Sequence, residues 1–437
     1  MRRIYPTQRP CVGWDNFNTM KISTQRAIDR WVGQALCALL SVWSKLMGLF
    51  APHANEHRNA TPRILVILLS EMGSVVLAKA MFDDLKAKHP GADLHVLQLK
   101  KNQGVMRLLG FVPEANLHSL DDASLSSLLH DLWHTTRHLR TLQLDGVIDC
   151  ELFSRISALL SYACGARVRV GFTSHTQEGL YRGSFINAPV PYNTYQHISL
   201  QFLGLAKVMQ TALQWTSAQL HDKHTRPLTR FVSPAIQRSL PQLTVDTSEL
   251  QVFQDRLHAD FASFMGNGKR VLLYVSGGAL PIRAWPEDSY ITLAKSLIAN
   301  GCAVGVIGLP EDTPQAQRVL HAVNNPLCIG LTGYTRSLRE LLLLFHNAEL
   351  LVTNDGGPGH FASLTPIDVI AFFGPETGRL YGPISERATV LESGMACSPC
   401  LTAYNHRDSF CDGDNQCLKV ITVAEVEQLV LHKLHLI

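Results

Sequence analysis

Two apolar runs limit the folds open to this chain more than anything else in it. Arg63-Ile64-Leu65-Val66-Ile67-Leu68-Leu69 and Arg270-Val271-Leu272-Leu273-Tyr274-Val275 are nearly continuous in apolar side chains, and each leads into a glycine-bearing turn. Such a run reads as a strand buried on both faces, the kind that sits inside a parallel sheet covered by helices. Strand and helix patterns alternate after each run. Residues 93–99, 146–149 and 168–172 are predicted strands in the first half, with a helix over 75–89 that ends at Pro90-Gly91. In the second half 303–307, 350–353 and 369–373 are predicted strands, and Gly301 closes a helix over 288–300. The expected architecture is α/β, with two Rossmann-like doubly wound domains facing a central cleft. At 437 residues the chain exceeds one ordinary core, which fits two domains. The expected divisions are an N-terminal extension over 1–60, a first domain over 61–245, a linker helix over 246–268 and a second domain over 269–437.

The extension differs in composition from the rest. Residues 1–22 carry Arg2, Arg3, Arg9 and Lys21 against the single acid Asp15. From 23 to 50 the spacing of Val32, Leu36, Leu39, Trp43, Leu46, Met47 and Phe50 predicts an amphipathic helix, too short and interrupted to span a bilayer. Nothing near Met1 resembles a cleaved signal peptide. Trp31, Trp43 and Phe50 beside Arg26, Arg30 and Lys45 suit a helix lying in a membrane interface. Docking on the protein's own core or on a second subunit is the competing reading. Residues 55–62 read as a linker and 227–241 as irregular. The net charge of 39 − 36 = +3 gives no support to a nucleic-acid partner. Ten cysteines, clustered only near the end, favour a reducing compartment over a disulfide framework.

Three loops at predicted strand ends of the second half can converge on one ligand. Asn354-Asp355-Gly356-Gly357-Pro358-Gly359-His360 joins a strand to a helix, and its glycines let a ligand approach the backbone. It is neither a Walker loop nor the Gly-x-Gly-x-x-Gly fingerprint, so it points to a phosphate-bearing ligand without naming it. Ser276-Gly277-Gly278-Ala279-Leu280-Pro281-Ile282-Arg283 pairs small residues with an arginine able to fork onto phosphate oxygens. Gly308-Leu309-Pro310-Glu311-Asp312 offers a carboxylate to a ribose hydroxyl, or a helix cap at Asp312.

These segments, in their order, resemble the glycosyltransferase family of bacterial ADP-heptose:lipopolysaccharide heptosyltransferases, from about residue 63 to 430. The likeness rests on Arg283-Ala284-Trp285-Pro286, Thr332-Gly333-Tyr334-Thr335-Arg336-Ser337, Asn354 to His360, Phe372-Phe373-Gly374-Pro375, Cys397-Ser398-Pro399-Cys400 and Cys417-Leu418-Lys419-Val420-Ile421-Thr422. The resemblance implies a GT-B fold, family 9 glycosyltransferase chemistry and an inverting transfer. A heptose-like sugar would pass from a nucleoside diphosphate to a glycolipid or oligosaccharide hydroxyl, in lipopolysaccharide or surface-glycan synthesis. It also implies a cytoplasmic protein, peripheral to the inner membrane. Carried over by position, Gly278, Ala279 and Arg283 would face the donor diphosphate and Glu311 would hold the ribose. Asp355, Gly356, Gly357 and His360 would cradle diphosphate and sugar. Backbone donors and Arg283 can take up the leaving group's charge, so no catalytic metal or other cofactor is expected.

One loop departs from the family pattern. Ser70-Glu71-Met72-Gly73-Ser74 places Ser74 where the family carries the aspartate that activates the acceptor. Serine is a poor base near neutral pH, and Glu71 in the same loop is the expected substitute. Lys79, on the following helix, reads as a solvated side chain. Arg137, Arg140, Arg167, Arg169 and Arg182 form a candidate basic stripe for an anionic acceptor, or simply a solvated face. Cys397, Cys400, Cys411 and Cys417, with His406 between them, fit a structural zinc site, a disulfide or free thiols. The 412–414 segment lacks the pattern of a calcium loop. Three rival functions remain: a nucleotide-sugar epimerase, a non-catalytic nucleotide-sugar binder suggested by Ser74, and a nicotinamide oxidoreductase disfavoured by the missing fingerprint.

Overall fold

Each apolar run becomes an inner strand of its own six-stranded parallel sheet. The computed structural model describes residues 29–50, 61–69, 71–152, 154–173, 181–222, 224, 240–278, 280–402, 409, 411 and 414–437. In the first sheet β1 (Arg63–Ile67) lies between β2 (Asp93–Leu99) and β4 (Gly146–Asp149). With β3 (Leu117–Leu120), β5 (Val168–Phe172) and β6 (Ala188–Val190) the order is β3-β2-β1-β4-β5-β6. The second sheet contains β7 (Arg270–Tyr274), β8 (Ala303–Gly308), β9 (Cys328–Thr332), β10 (Leu350–Asn354), β11 (Asp368–Phe373) and β12 (Ala388–Glu392). Its order, β12-β11-β10-β7-β8-β9, repeats the topology of the first. In both sheets the order reverses beside the first strand, at β1/β4 and at β7/β10. Ligands in open α/β sheets bind outside the carboxyl ends of the strands at such a switch point.

The helices adjust several boundaries. The expected N-terminal helix is present as a π-type turn over Asp29–Gly33 leading into α1 (Gln34–Phe50), while 23–28 and the side chain of Phe50 lie outside the described residues. The helix expected over 75–89 is two helices, α2 (Met72–Leu77) and α3 (Lys79–Lys88). They part at Ala78, whose N–H is shared between Ser74 O and Val75 O. Next come α4 (Leu125–Thr141), α5 (Arg155–Ala163) and α6 (Thr247–Asp260), the last shorter than the linker helix expected over 246–268. In the second half α7 (Glu287–Ala299) is followed by Gly301 at φ +81°, the left-handed terminator that its glycine predicts. Then come α8 (Gly357–Ala362) and the terminal helix α9 (Val423–Lys433), which packs on α7. The linker expected at 55–62 and the irregular stretch at 227–241 fall mostly outside the described residues. Among the described residues no helix is long and apolar enough to cross a membrane.

The two sheets share core. Val75 of α2, Tyr274 of β7 and Phe361 of α8 belong to one contiguous buried cluster. Across the same junction Tyr192 and Tyr381 share a hydrogen bond of 3.2 Å, and His197 Nε2 donates to Gly382 O at 3.1 Å. Of the five arginines in the candidate basic stripe, Arg137 and Arg140 are exposed, whereas the other three are engaged within the fold. Arg182 is wholly buried, paired with Asp149 and donating to Ser157 Oγ, while Arg167 donates to Leu213 O and Trp215 O. Arg169 donates to Phe185 O and Ala166 O. These three guanidiniums satisfy loop carbonyls, a structural use that spacing does not reveal.

Candidate functional site

The loops that follow β1, β7 and β10 meet where the two switch points face each other. Asn354, at the end of β10, is what holds the latter two together. Its Oδ1 accepts from Trp285 N–H at 2.8 Å and from Tyr290 OH at 3.0 Å. Its Nδ2 donates to Tyr274 O and Ser276 O. This buried amide spends its donors and acceptor on the protein itself, so it shapes the site rather than binding in it. Trp285 completes the frame, stacked on Phe372 with 4.7 Å between ring centroids and donating Nε1–H to Ile421 O.

Arg283 ends the turn Pro281–Arg283 and is 5% exposed. Three carboxylates surround it. Asp355 Oδ2 lies 3.3 Å from Nε, Glu376 Oε1 3.1 Å from Nη2, and Glu71 Oε2 3.6 Å from Nη1. Asp355 and Glu376 are buried and come from the second sheet's own loops, whereas Glu71 reaches across from the first sheet and is half-exposed. The expectation of an arginine open to phosphate is thus met by an arginine already held on several sides. Glu376, in the loop after β11, was missed in the sequence, where nothing in Pro375-Glu376-Thr377 points to Arg283.

Glu71 occupies the cap position of α2, where its carbonyl accepts the Ser74 N–H at 2.9 Å. Ser74 therefore lies in the first turn of α2, half-buried. Gly73 between them is pressed against the turn opposite. A Cβ there would come within 2.4 Å of His360 Cδ2. His360 is buried on α8, and its Nδ1 has no hydrogen-bond partner among the described residues. Burial, with the charges of His197 and Arg283, lowers its pKa to about 4 against the opposing pull of Glu71, so the ring is neutral near pH 7. Gly73→Ala is expected to force the two loops apart, at a cost of about 1–3 kcal/mol. Thermal unfolding checks this, and Gly73→Ala with His360→Ala should recover part of the loss.

The glycines divide into two kinds. Gly278 has φ +60° and donates its N–H to Ser276 Oγ at 3.0 Å, so its turn needs the left-handed conformation. Gly356 is extended, and an added Cβ would meet nothing nearer than 3.9 Å. The chain's own packing does not demand a glycine there. Tyr274, its phenol pushed up to about 12 by burial, lies beneath both, 3.3 Å from a Cβ on Gly278 and 3.9 Å from one on Gly356. Helix α8 has six residues, so the field at its start is weaker than a long helix gives. Glu311 is exposed in the turn after β8, while Asp312 Oδ2 closes that turn by accepting Leu309 N–H at 2.9 Å. Ala279 lies outside the described residues.

Cys397, Cys400, Cys411 and Cys417 line one cavity of about 490 Å³ behind the Arg283 turn. Among the described residues no disulfide joins any of the four, which removes the disulfide reading. No group of three or more ligating side chains among the described residues is placed to hold a metal ion, so the zinc reading has no support. His406 lies outside the described residues. Burial raises the Cys417 thiol, and the other three thiols add to the effect.

The profile of glycosyltransferase family 9 (heptosyltransferase) matches residues 132–409. Lipopolysaccharide heptosyltransferase 2 of Salmonella typhimurium is 24% identical over 392 residues, covering 85% of this chain and 97% of the relative. Lipooligosaccharide heptosyltransferase 2 of Haemophilus influenzae is 33% identical over 129 residues, an alignment covering 28% of this chain and 37% of that protein. Among solved structures, E. coli ADP-heptose lps heptosyltransferase II superposes with a TM-score of 0.62 at 21% identity, covering 85% of this chain and 98% of that one. The architecture is thus the two-domain GT-B fold.

Proposed function

The chain belongs to glycosyltransferase family 9, and from that membership we propose that it transfers a heptose-like sugar from a nucleoside diphosphate to a glycolipid or oligosaccharide hydroxyl. The transfer would serve lipopolysaccharide or related surface-glycan synthesis, on the cytoplasmic face of the inner membrane. The full-length likeness to lipopolysaccharide heptosyltransferases supports the sugar and the pathway. The observation that carries the reading is Arg283, which contacts the first sheet through Glu71 and the second through Asp355 and Glu376.

In this reading Asp355 and Glu376 fix the guanidinium, and the arm toward Glu71 is the exchangeable one, because 3.6 Å is the longest of the three contacts and Glu71 the most exposed partner. A donor oxygen replaces Glu71 at Nη1, which releases the carboxylate toward the acceptor. Glu71 takes the acceptor's proton, the oxygen bonds to the anomeric carbon from the face opposite the diphosphate, and the sugar–phosphate bond breaks with inversion. Backbone N–H groups at Gly356 and Gly357, with Arg283, receive the leaving charge, so this route needs no metal ion. Neutral His360 offers a hydrogen bond to the sugar, and Glu311 at the cleft mouth takes the ribose.

The test couples binding to turnover. A nucleoside diphosphate present at about 100 times its Kd should stabilise the protein by about 2.7 kcal/mol in a thermal-shift experiment. With ADP-heptose as donor, diphosphate release should require an acceptor glycolipid. Conversion of the donor without acceptor would favour an epimerase. Binding with no release under any acceptor would favour the non-catalytic reading that Ser74 motivates.

A further inference from the structure

Two exposed apolar faces of the first domain end at the rim of the cleft, and the exposed charged side chains on them are basic. Helix α1 docks on α5 through a seam of small side chains, Gly33, Cys37 and Ser41, one helical turn apart. A Cβ on Gly33 would lie 2.9 Å from Arg155 Cβ, and Ser41 Oγ accepts Ser184 N–H at 2.9 Å. So narrow a seam leaves most of the circumference outward. Trp31 (72% exposed), Leu36, Leu39, Trp43 and Leu46 all point away from the protein. Helix α4, on the other flank of α5, repeats the feature with Leu125, Leu129 and Trp133 (67% exposed) in one row, continued by Arg137.

The acids of these segments are engaged elsewhere. Asp29 Oδ1 accepts the first N–H groups of α5, at Arg155 and Ile156, and its carboxylate pairs with Arg155. Asp131 accepts Asp121 N–H. The outward charges are therefore Arg30, Lys45, Arg137 and Arg140, with Arg30 over the ring of Trp31 at 5.7 Å. Tryptophans flanked by cations on an apolar helix match the chemistry of an anionic bilayer surface.

Topology places this surface usefully. In a parallel sheet the helix after a strand starts at the strand's carboxyl end, so Leu125, after β3, and Arg155, after β4, lie on the side where Glu71 follows β1. Because Asp29 caps α5, Trp31 lies at that same end. We infer that α1 and α4 together seat the first domain on an anionic lipid bilayer, with the cleft opening beside the membrane. The lipid contact is independent of the transfer reading; only the delivery of a membrane-held acceptor rests on it.

The full chain is to be sedimented with vesicles of phosphatidylethanolamine and phosphatidylglycerol in equal amounts, and with phosphatidylcholine vesicles. Binding is expected to the anionic vesicles, weakened by added salt. Leu39→Glu with Trp43→Glu, and separately Leu129→Glu with Trp133→Glu, should each reduce it at least roughly tenfold while leaving the circular dichroism unchanged. Absent binding, or binding that neither pair weakens, overturns the inference. So does a vesicle-free dimer, seen by analytical ultracentrifugation, that the α1 pair abolishes, since a second copy would then be the occupant. Loss of transfer activity with vesicle binding intact would count against the proposed reaction alone.

Discussion

Glu71→Gln is expected to lower kcat by about 10²–10⁴-fold while changing donor affinity by no more than a factor of a few. Glu71 stands at the cap of α2, its backbone held by the Ser74 N–H donated to its carbonyl. Glutamine keeps that turn and the side chain's volume but cannot accept the acceptor's proton. Ser74, by contrast, sits inside the first turn of α2, and Ser74→Ala should cost less than roughly tenfold. Steady-state kinetics at saturating donor and acceptor separate the two. The Glu71→Gln, Ser74→Asp double variant adds a sharper comparison. If a carboxylate at 74 restores turnover, the acceptor hydroxyl lies within reach of both positions. A Glu71→Gln enzyme with wild-type kcat would remove Glu71 from the chemistry.

Arg283→Met should destabilise the protein by about 3–5 kcal/mol, before any effect on catalysis is considered. The guanidinium is the shared partner of Asp355 and Glu376, both buried, and its removal leaves two carboxylates close together with that cation gone. Denaturant unfolding measures the loss. Adding Glu376→Gln to Arg283→Met should recover a substantial part, because one of the stranded charges is then neutral. Arg283→Lys should fold nearly as well as wild type yet bind donor more weakly, since an ammonium cannot serve three partners in one plane. An Arg283→Met protein as stable as wild type would mean that the buried pairs contribute nothing and that the turn is held by Asn354 alone.

The strands legible in the sequence were those buried on both faces. The eight expected are the inner ones, β1, β2, β4 and β5 in one sheet and β7, β8, β10 and β11 in the other. The four that escaped, β3, β6, β9 and β12, are the two edges of each sheet. An edge strand packs against fewer neighbours, so Leu117–Leu120 and Ala388–Glu392 are mostly only half-buried and carry no continuous apolar run. The site divides in a similar way. Loops that leave an inner strand through glycines, at Gly277 and Gly356, announce themselves. Side chains recruited from afar do not: Glu376 meets Arg283 across 93 positions, and Gly73 meets His360 between the two sheets. The cysteine spacing likewise points to four thiols gathering, which they do around one cavity, without deciding between zinc, a disulfide and neither. Arg167, Arg169 and Arg182 looked like a surface stripe because sequence shows charge but not the carbonyls that the charge serves.

The most direct measurement is a crystal structure of this protein with ADP bound. The two phosphates should lie in the crevice between the β7 and β10 loops, against the Gly278 turn and within hydrogen-bonding distance of backbone N–H groups at Gly356–Gly357, with Arg283 Nη1 turned from Glu71 to a phosphate oxygen. Phosphates seated away from both glycine turns, with the Glu71–Arg283 contact intact, would contradict the account.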